Sequence, residues 1–396
     1  MKSIEGRDII VVGQQPWDVS IGSNCKNIAL EFCKKNRVLY VNSPLDRITS
    51  IKDKKDPKTQ KRLNVIKGRE NGLILLKENL WNLYPDCLVE SVNSIPVDFI
   101  FNWINKANAK KFVTSIQKAL TELNFKNYIL FNDNEIIKCF YLTELLQPSK
   151  SVYYSRDYIL ATEYWKKHGK RLEPLVIAKN DVCVANSTYL RDYCEQYNPN
   201  AYYVGQGCEL EIFKKDFFQI PQELKNLNKP VIGYVGALLS SRLDIDILLH
   251  IAQQKPEWLI VLTGPEDDDF KNCSLHQMEN VLFTGHEPAE ELPDFINAFD
   301  VCINPQIVNE LTVGNYPRKI DEYLAMGKPV VATKTKTMEI FEGYVYMADN
   351  KEAYIAFIEK ALKEDDDLLK QRRKDFAALH TWENSVAEIY EAISLS

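Results

Sequence analysis

The run Pro317-Arg-Lys319-Ile-Asp-Glu322-Tyr-Leu-Ala-Met-Gly327-Lys-Pro329-Val-Val-Ala-Thr333 reads as one loop, one helix and one strand. Pro317 can open the helix because its missing N–H is one that a helix start leaves unpaired anyway. Gly327 suits the left-handed cap at the far end, and Pro329 leads into the β-branched pair Val330 and Val331. Between them Ile320, Tyr323 and Leu324 recur at helical spacing and predict a face laid against a sheet. A helix followed at once by a short apolar strand is the repeating unit of parallel α/β sheets.

The same alternation continues outward in both directions. Upstream, strands are predicted at Pro230 to Val235, Trp258 to Leu262, Val281 to Phe283 and Asp300 to Ile303. In the first half they fall at Asp8 to Val12, Arg37 to Val41, Leu73 to Leu76, Tyr128 to Phe131, Ser151 to Tyr154 and Asp181 to Ala185. Helical patterns such as Lys26 to Lys35 and Lys106 to Leu123 lie between them. At 396 residues the chain is long enough for two domains. We expect a first domain over 1–209, a polar linker over 210–228 and a second domain over 229–375. The tail 376–396 carries Trp382, Val386, Ile389, Tyr390 and Ile393 at helical spacing and reads as a docking helix, with Thr381 as its N-cap.

Composition narrows the class. With 45% hydrophobic and 26% charged residues the chain is neither disordered nor built of membrane spans. No apolar run approaches the roughly 18 to 20 residues of a spanning helix, and Ile9 to Val12 is too short for a signal-peptide core, so a cytoplasmic location is expected. Nine cysteines without a CxxC pair, and five histidines without HExxH, predict reduced thiols and no metal site. Charge is unevenly spread: residues 1–205 hold 30 basic and 22 acidic side chains, a net +8, whereas residues 206–396 hold 19 and 33, a net −14. Eight of the basic residues crowd into Lys52 to Arg69. A solvated loop explains such a run, and so does an anionic membrane surface or substrate. No aromatic-studded basic motif points to nucleic acid.

The residues that carry chemistry cluster at strand ends. Gly236, Gly264 and Gly285 each follow a predicted strand, at the sheet edge where open α/β folds bind ligands. A glycine there lets the backbone approach a ligand, a helix N-terminus favours phosphate, and Arg242 can pair with it bidentately. Lys319, near the start of the 317–326 helix, suits a diphosphate, and Glu322, one turn deeper, suits the two hydroxyls of a ribose. A plain surface ion pair between Lys319 and Glu322 is the competing reading.

Pro317, Lys319, Glu322-Tyr-Leu-Ala and Gly327-Lys-Pro-Val-Val together resemble the nucleotide-sugar motif of group 1, family 4-like, glycosyltransferases of the GT-B fold. Tyr234-Val-Gly236 with Arg242, Phe283-Thr-Gly-His286, Gln206-Gly207 followed by Phe213, and the Trp382 helix match in order. The resemblance implies two Rossmann-like domains facing a cleft, with the C-terminal helix crossing back to the first domain. It implies a metal-independent hexosyltransferase that builds surface polysaccharide. No cofactor is expected beyond a nucleotide-sugar co-substrate, UDP-linked, and the acceptor would be a glycan or lipid-linked glycan. Gly236, Arg242, Gly264, Asn315 and Lys319 would hold the donor with Glu322 on the ribose, and Gly285 and His286 would meet the base. The chain departs from the family pattern at Gly314, where the first glutamate of an E-x7-E pair is usual, and at Ala237, where an arginine is common.

Retaining and inverting transfer both stay open. An inverting transfer needs a general base, for which Asp157 is the candidate, against a reading of Asp157 as the N-cap of a helical stretch Ile159 to His168. Asp133 and Glu135 are second choices, with Asp133 on the acceptor side. Trp17, Gly22 and Asn24, in the loop after the first strand, are the other acceptor candidates. Asp244, Asp246 and the run Asp267 to Asp269 are rejected as metal ligands on position. An epimerase on the same two-domain plan and a non-catalytic nucleotide-sugar binding module are the alternatives. Peripheral contact of the basic first domain with an anionic membrane is expected.

Overall fold

Two mainly parallel sheets absorb the apolar runs of the sequence. The computed structural model describes residues 4–19, 22–215 and 217–396. They divide into one unit of Met1–Gly205 with Trp382–Ser396, and a second of Gln206–Thr381.

The first unit is built on an eight-stranded sheet. Its order is Ala201–Tyr203, Val182–Ala185, Lys150–Ser155, Ile129–Asp133, Asp8–Gly13, Arg37–Asn42, Leu80–Leu83, Leu73–Lys77. Ile9 to Val12 are buried throughout, so the central strand reads as a continuous apolar run, as a parallel strand covered on both faces must. Arg37 forks onto Asp8, Nε at 2.7 Å and Nη2 at 2.8 Å, and ties the amino ends of two neighbouring strands. The final pair is antiparallel, a hairpin turning at Asn79 in the left-handed region. Its strand Leu80–Leu83 was not expected, because Leu-Trp-Asn-Leu lacks the β-branched signal.

Helix Trp382–Leu395 belongs to this unit. Val386, Ile389 and Tyr390 are buried among Ile9, Val11, Phe32 and Val38. The Tyr390 ring stacks on Phe32 at 5.5 Å, and its hydroxyl accepts from Asn36 Nδ2 at 2.9 Å.

The second unit has a six-stranded parallel sheet, ordered Val281–Gly285, Leu259–Thr263, Val231–Val235, Val301–Asn304, Val330–Thr333, Tyr346–Ala348. The segment 210–228, expected to be a linker, is instead part of this unit. Leu210, Phe213 and Leu224 are buried in its core, on short 3-10 turns at Glu211–Phe213 and Gln222–Leu224. Three apolar anchors in a lysine-rich stretch leave no periodic trace, which is why the packing was hidden.

Ile389 is fully buried. Ile389→Ala should destabilise the first unit by about 2 to 5 kcal/mol, read as a fall in its melting temperature. An unchanged melting temperature would mean that the tail helix is not part of this core.

Candidate active site

Helix Arg318–Ala325 is fixed from beneath. The Val235 amide donates to the Tyr323 hydroxyl at 2.9 Å, locking the helix to the end of strand Val231–Val235. Asp321 is fully buried, 2.5 Å from His380 Nδ1, and accepts from Cys208 Sγ at 3.3 Å. Gly327, at φ +75°, ends the helix as its left-handed cap, with the Lys328 amide returning to the Tyr323 carbonyl at 3.0 Å. At the other end Pro317 occupies the N-cap position and no side chain caps the first turn, so the positive end of the helix is left for an anion.

Lys319 is delivered to the glycine turn. Its Nζ lies 2.5 Å from the Tyr234 hydroxyl and 4.3 Å from the centre of that ring. Among the described residues no carboxylate lies within ion-pairing distance of it, so the surface ion pair with Glu322 does not form. A Cβ on Gly236, whose φ is +135°, would sit 3.1 Å from Lys319 Nζ. Gly264, at φ +150°, packs so closely that a Cβ would come within 2.0 Å of the Gly236 carbonyl oxygen. Both glycines are therefore demanded by the protein itself. The Gly236 amide is used by the Thr263 carbonyl at 2.9 Å.

Glu322 is half-buried, and burial pushes its carboxyl above the ordinary range, partly offset by Arg318 and Lys319. Nearby polar atoms also lack partners: Arg318 Nε on the same helix, Thr263 Oγ1 and Asn304 Nδ2 at strand ends, and Thr284 Oγ1 just before Gly285. Buried polar groups are normally satisfied, and within the second unit the orphans among the described residues fall at strand ends and on this helix, where a ligand would answer them; others lie in the first unit. Arg318 was missed in the sequence, where Lys319 beside it took the whole role.

The other donor-side residues are more loosely placed. Arg242 is exposed after the turn that begins at Leu239, and its carbonyl accepts from the Ile307 amide at 2.9 Å. The helix after it starts only at Ile245, and the carboxylate of Asp244 already caps its amides at 3.0 and 3.2 Å. That helix end is thus closed to a phosphate, contrary to expectation. His286 is exposed, Asn315 makes no side-chain hydrogen bond among the described residues, and Gly285 (φ +81°) faces open space. Asp267 caps the short helix Asp268–Lys271 and accepts from Ser240. Among the described residues no group of three His, Cys, Asp or Glu side chains is arranged to hold a metal ion.

In the first unit the acceptor candidates meet around Arg156, which the sequence reading passed over although it adjoins Asp157. Its Nε donates to Asp133 at 2.8 Å, its Nη1 to Asp157 at 2.7 Å and its Nη2 to Gln14 at 2.9 Å. Asp133 is fully buried, whereas the Asp157 side chain is 47% exposed. Asp157 does not start a helix. A 3-10 turn spans Ile159–Ala161, and helix Glu163–Lys179 begins after Thr162. Glu135 is structural, its Oε1 accepting from the Ile137 and Lys138 amides at 2.9 and 3.1 Å. Trp17 packs edge-on to Tyr40 at 5.0 Å and its amide donates to Asn42, so it is a wall of the core rather than an open platform. Asn24 donates to the Tyr154 hydroxyl at 3.3 Å, and Gly22 is exposed with nothing near its Cβ position. Residues 20 and 21 of that loop lie outside the described residues.

Behind Arg156 runs a buried chain. Asn134 Oδ1 accepts from the Arg156 amide at 3.3 Å and from the Tyr153 hydroxyl at 3.4 Å, and Tyr153 in turn lies 2.9 Å from Glu173. Burial pushes the Glu173 carboxyl up to about 7.

Comparison with known proteins places these features. Residues 229–364 match the family described as group 1 glycosyl transferases. TuaH of Bacillus subtilis (strain 168), a protein named for a role as a teichuronic acid biosynthesis glycosyltransferase, is 28% identical over 236 residues, covering 56% of this chain and 59% of that protein. The match thus spans less than two thirds of the relative's length. Sucrose-phosphate synthase of Thermosynechococcus elongatus superposes with a TM-score of 0.65 at 15% identity, over 97% of this chain and 98% of its own. Anabaena HepE in complex with UDP does so with a TM-score of 0.65 at 13% identity, over 98% of this chain and 100% of its own. The shared fold is GT-B, two α/β units each on a mainly parallel sheet.

Glu173 allows a test of the network behind Arg156. Its folded pKa of about 7 stands above the ordinary 4.5, so the folded state binds more protons and stability falls as pH rises through that window. Glu173→Gln should flatten the fall and raise the melting temperature at pH 8, by a stabilisation on the order of 3 kcal/mol, with little change near pH 4. A variant whose stability still drops as steeply across the window would place the titrating group elsewhere.

Proposed function

We propose that the chain, whose residues 229–364 match the group 1 glycosyl transferases and whose fold is GT-B, transfers a sugar from a nucleotide diphosphate donor, UDP-linked, to a glycan or lipid-linked glycan in surface polysaccharide synthesis. One observation carries the reading: a lysine without a carboxylate partner is held at the glycine turn, beside an uncapped helix start. Lys319 and that helix end meet the diphosphate, with the exposed Arg242 as a second cation. Glu322 accepts from the ribose hydroxyls, and the base lies towards Gly285 and His286. As the bond to the sugar breaks, negative charge grows on the departing diphosphate, and a fixed ammonium in a partly dry site stabilises it more than water would. Cationic side chains thus fill the place a metal would otherwise take. TuaH, named for teichuronic acid biosynthesis, supports the polysaccharide product, and HepE, solved with UDP, supports the nucleotide.

On the acceptor side we assign Asp157 as the base of an inverting transfer. It is half-exposed at the carboxyl end of strand Lys150–Ser155, and Arg156, itself held by Asp133 and Gln14, orients one carboxylate oxygen. Peripheral contact with an anionic membrane belongs to the same proposal. No helix among the described residues is long and apolar enough to cross a membrane.

Lys319→Ala and Glu322→Ala should each weaken UDP binding by roughly ten- to a hundredfold in calorimetry while the melting temperature holds, since each removes a charged hydrogen-bond partner. Unchanged affinity in both would remove the donor assignment. Asp157→Asn should abolish transfer with UDP affinity kept, because the amide is isosteric but accepts no proton. A folded, fully active Asp157→Asn protein would return the reaction to a retaining course.

A further inference from the structure

A cavity of about 1470 Å³ lies wholly within the first unit, and Gln14, the partner of Arg156, stands in its wall. Its walls come from helices Arg47–Lys52 and Pro57–Ile66, the middle of helix Asp98–Glu122 and the start of helix Glu163–Lys179. It exceeds the roughly 300 to 1,000 Å³ of ordinary small-molecule sites.

Two features of the lining define an occupant. The first is apolar. Helix Arg47–Lys52 buries none of its residues, and Ile48 and Ile51, one turn apart, are 45% and 70% exposed against the cavity. Tyr164, 58% exposed, stands at its side, and Phe112 and Ala109 pack beneath, buried. The second is charge. Lys52, Lys54, Lys55, Lys58 and Lys138 line the cavity, and among the described residues none has a carboxylate within ion-pairing distance. The lining acids are already engaged. Asp46 accepts from Thr49 and Ser91, Asp56 from the Thr59 amide, Glu90 from Arg47, and Glu135 from two amides. Asp53 is the one lining carboxylate left over among the described residues.

We propose that this cavity binds a long-chain lipid phosphate, its chain along Ile48, Ile51 and Tyr164 and its phosphate among Lys52, Lys55 and Lys58. An apolar trough with a surplus of unpaired ammonium groups fits an anionic amphiphile, where a neutral lipid would leave the lysines unanswered and a free anion would leave the apolar wall wet. That the lipid is the carrier of the sugar acceptor rests on the glycosyl-transfer reading; the binding itself does not.

The test uses the full chain without donor. Farnesyl phosphate, farnesol and inorganic phosphate are each titrated while tryptophan fluorescence is followed, since Trp165 lines the cavity. Farnesyl phosphate should bind saturably and about tenfold or more tightly than either of the others. Ile51→Asp and Lys55→Glu alter exposed side chains, so their melting temperatures should hold while each weakens farnesyl phosphate about tenfold. Equal affinity for farnesol, equal affinity for inorganic phosphate, or undiminished binding in both variants would overturn the site. A parallel UDP titration separates the two readings. UDP binding with no farnesyl phosphate binding removes this site alone, whereas farnesyl phosphate binding with no UDP binding removes the donor assignment alone.

Discussion

The hydrogen bond between the Val235 amide and the Tyr323 hydroxyl sets the geometry on which the donor site depends. Tyr323 lies one helical turn after Lys319, so anchoring it at the strand end carries the lysine over Tyr234 and into the space that Gly236 leaves open. Asp321 cannot share that face. It turns inward to His380 and Cys208, which holds the helix against rotation. Such a bond contributes only about 1 kcal/mol net, but leaving the buried Val235 amide unpaired would cost about 1 to 3 kcal/mol. Its influence is therefore positional more than energetic.

From that anchor the electrostatics follow. The ammonium of Lys319 is held by a phenol rather than a carboxylate, so its charge is not neutralised within the protein. Glu322 sits where burial favours its protonated form, and Arg318 Nε and Thr263 Oγ1 have no partners. Each is a cost in stability that folding alone does not recover. On the proposed reading a nucleotide diphosphate answers them together, which accounts for the second unit's orphaned side-chain atoms, among the described residues, lying at strand carboxyl ends and on the donor helix. The first unit handles charge differently, closing Arg156 into a network with Asp133, Asp157 and Gln14.

What was legible in the sequence was local. Continuous apolar runs such as Ile9 to Val12 announced buried parallel strands, and Pro317, Gly327 and Pro329 marked the bounds of the donor helix and the strand after it. The spacing of Val386, Ile389 and Tyr390 gave the tail helix. What escaped was settled at long range. The packing of 210–228 hangs on three isolated side chains, and strand Leu80–Leu83 exists only because a hairpin partner and Arg37–Asn42 flank it. The helix start near Arg242 was lost to the carboxylate beside it. The lysine-walled cavity brings helices Arg47–Lys52 and Pro57–Ile66 together with helices Asp98–Glu122 and Glu163–Lys179, so the basic run from Lys52 showed as charge without showing what it lines.

The central claim is that the second unit seats a nucleoside diphosphate on Lys319 and the uncapped start of its helix. A crystal structure of the protein with UDP tests it most directly. The account predicts the diphosphate within hydrogen-bonding distance of Lys319 Nζ and the amides at the start of helix Arg318–Ala325, with the ribose hydroxyls on the Glu322 carboxylate. UDP bound elsewhere in the chain, with Lys319 still resting on Tyr234 and Glu322 bare, would contradict it.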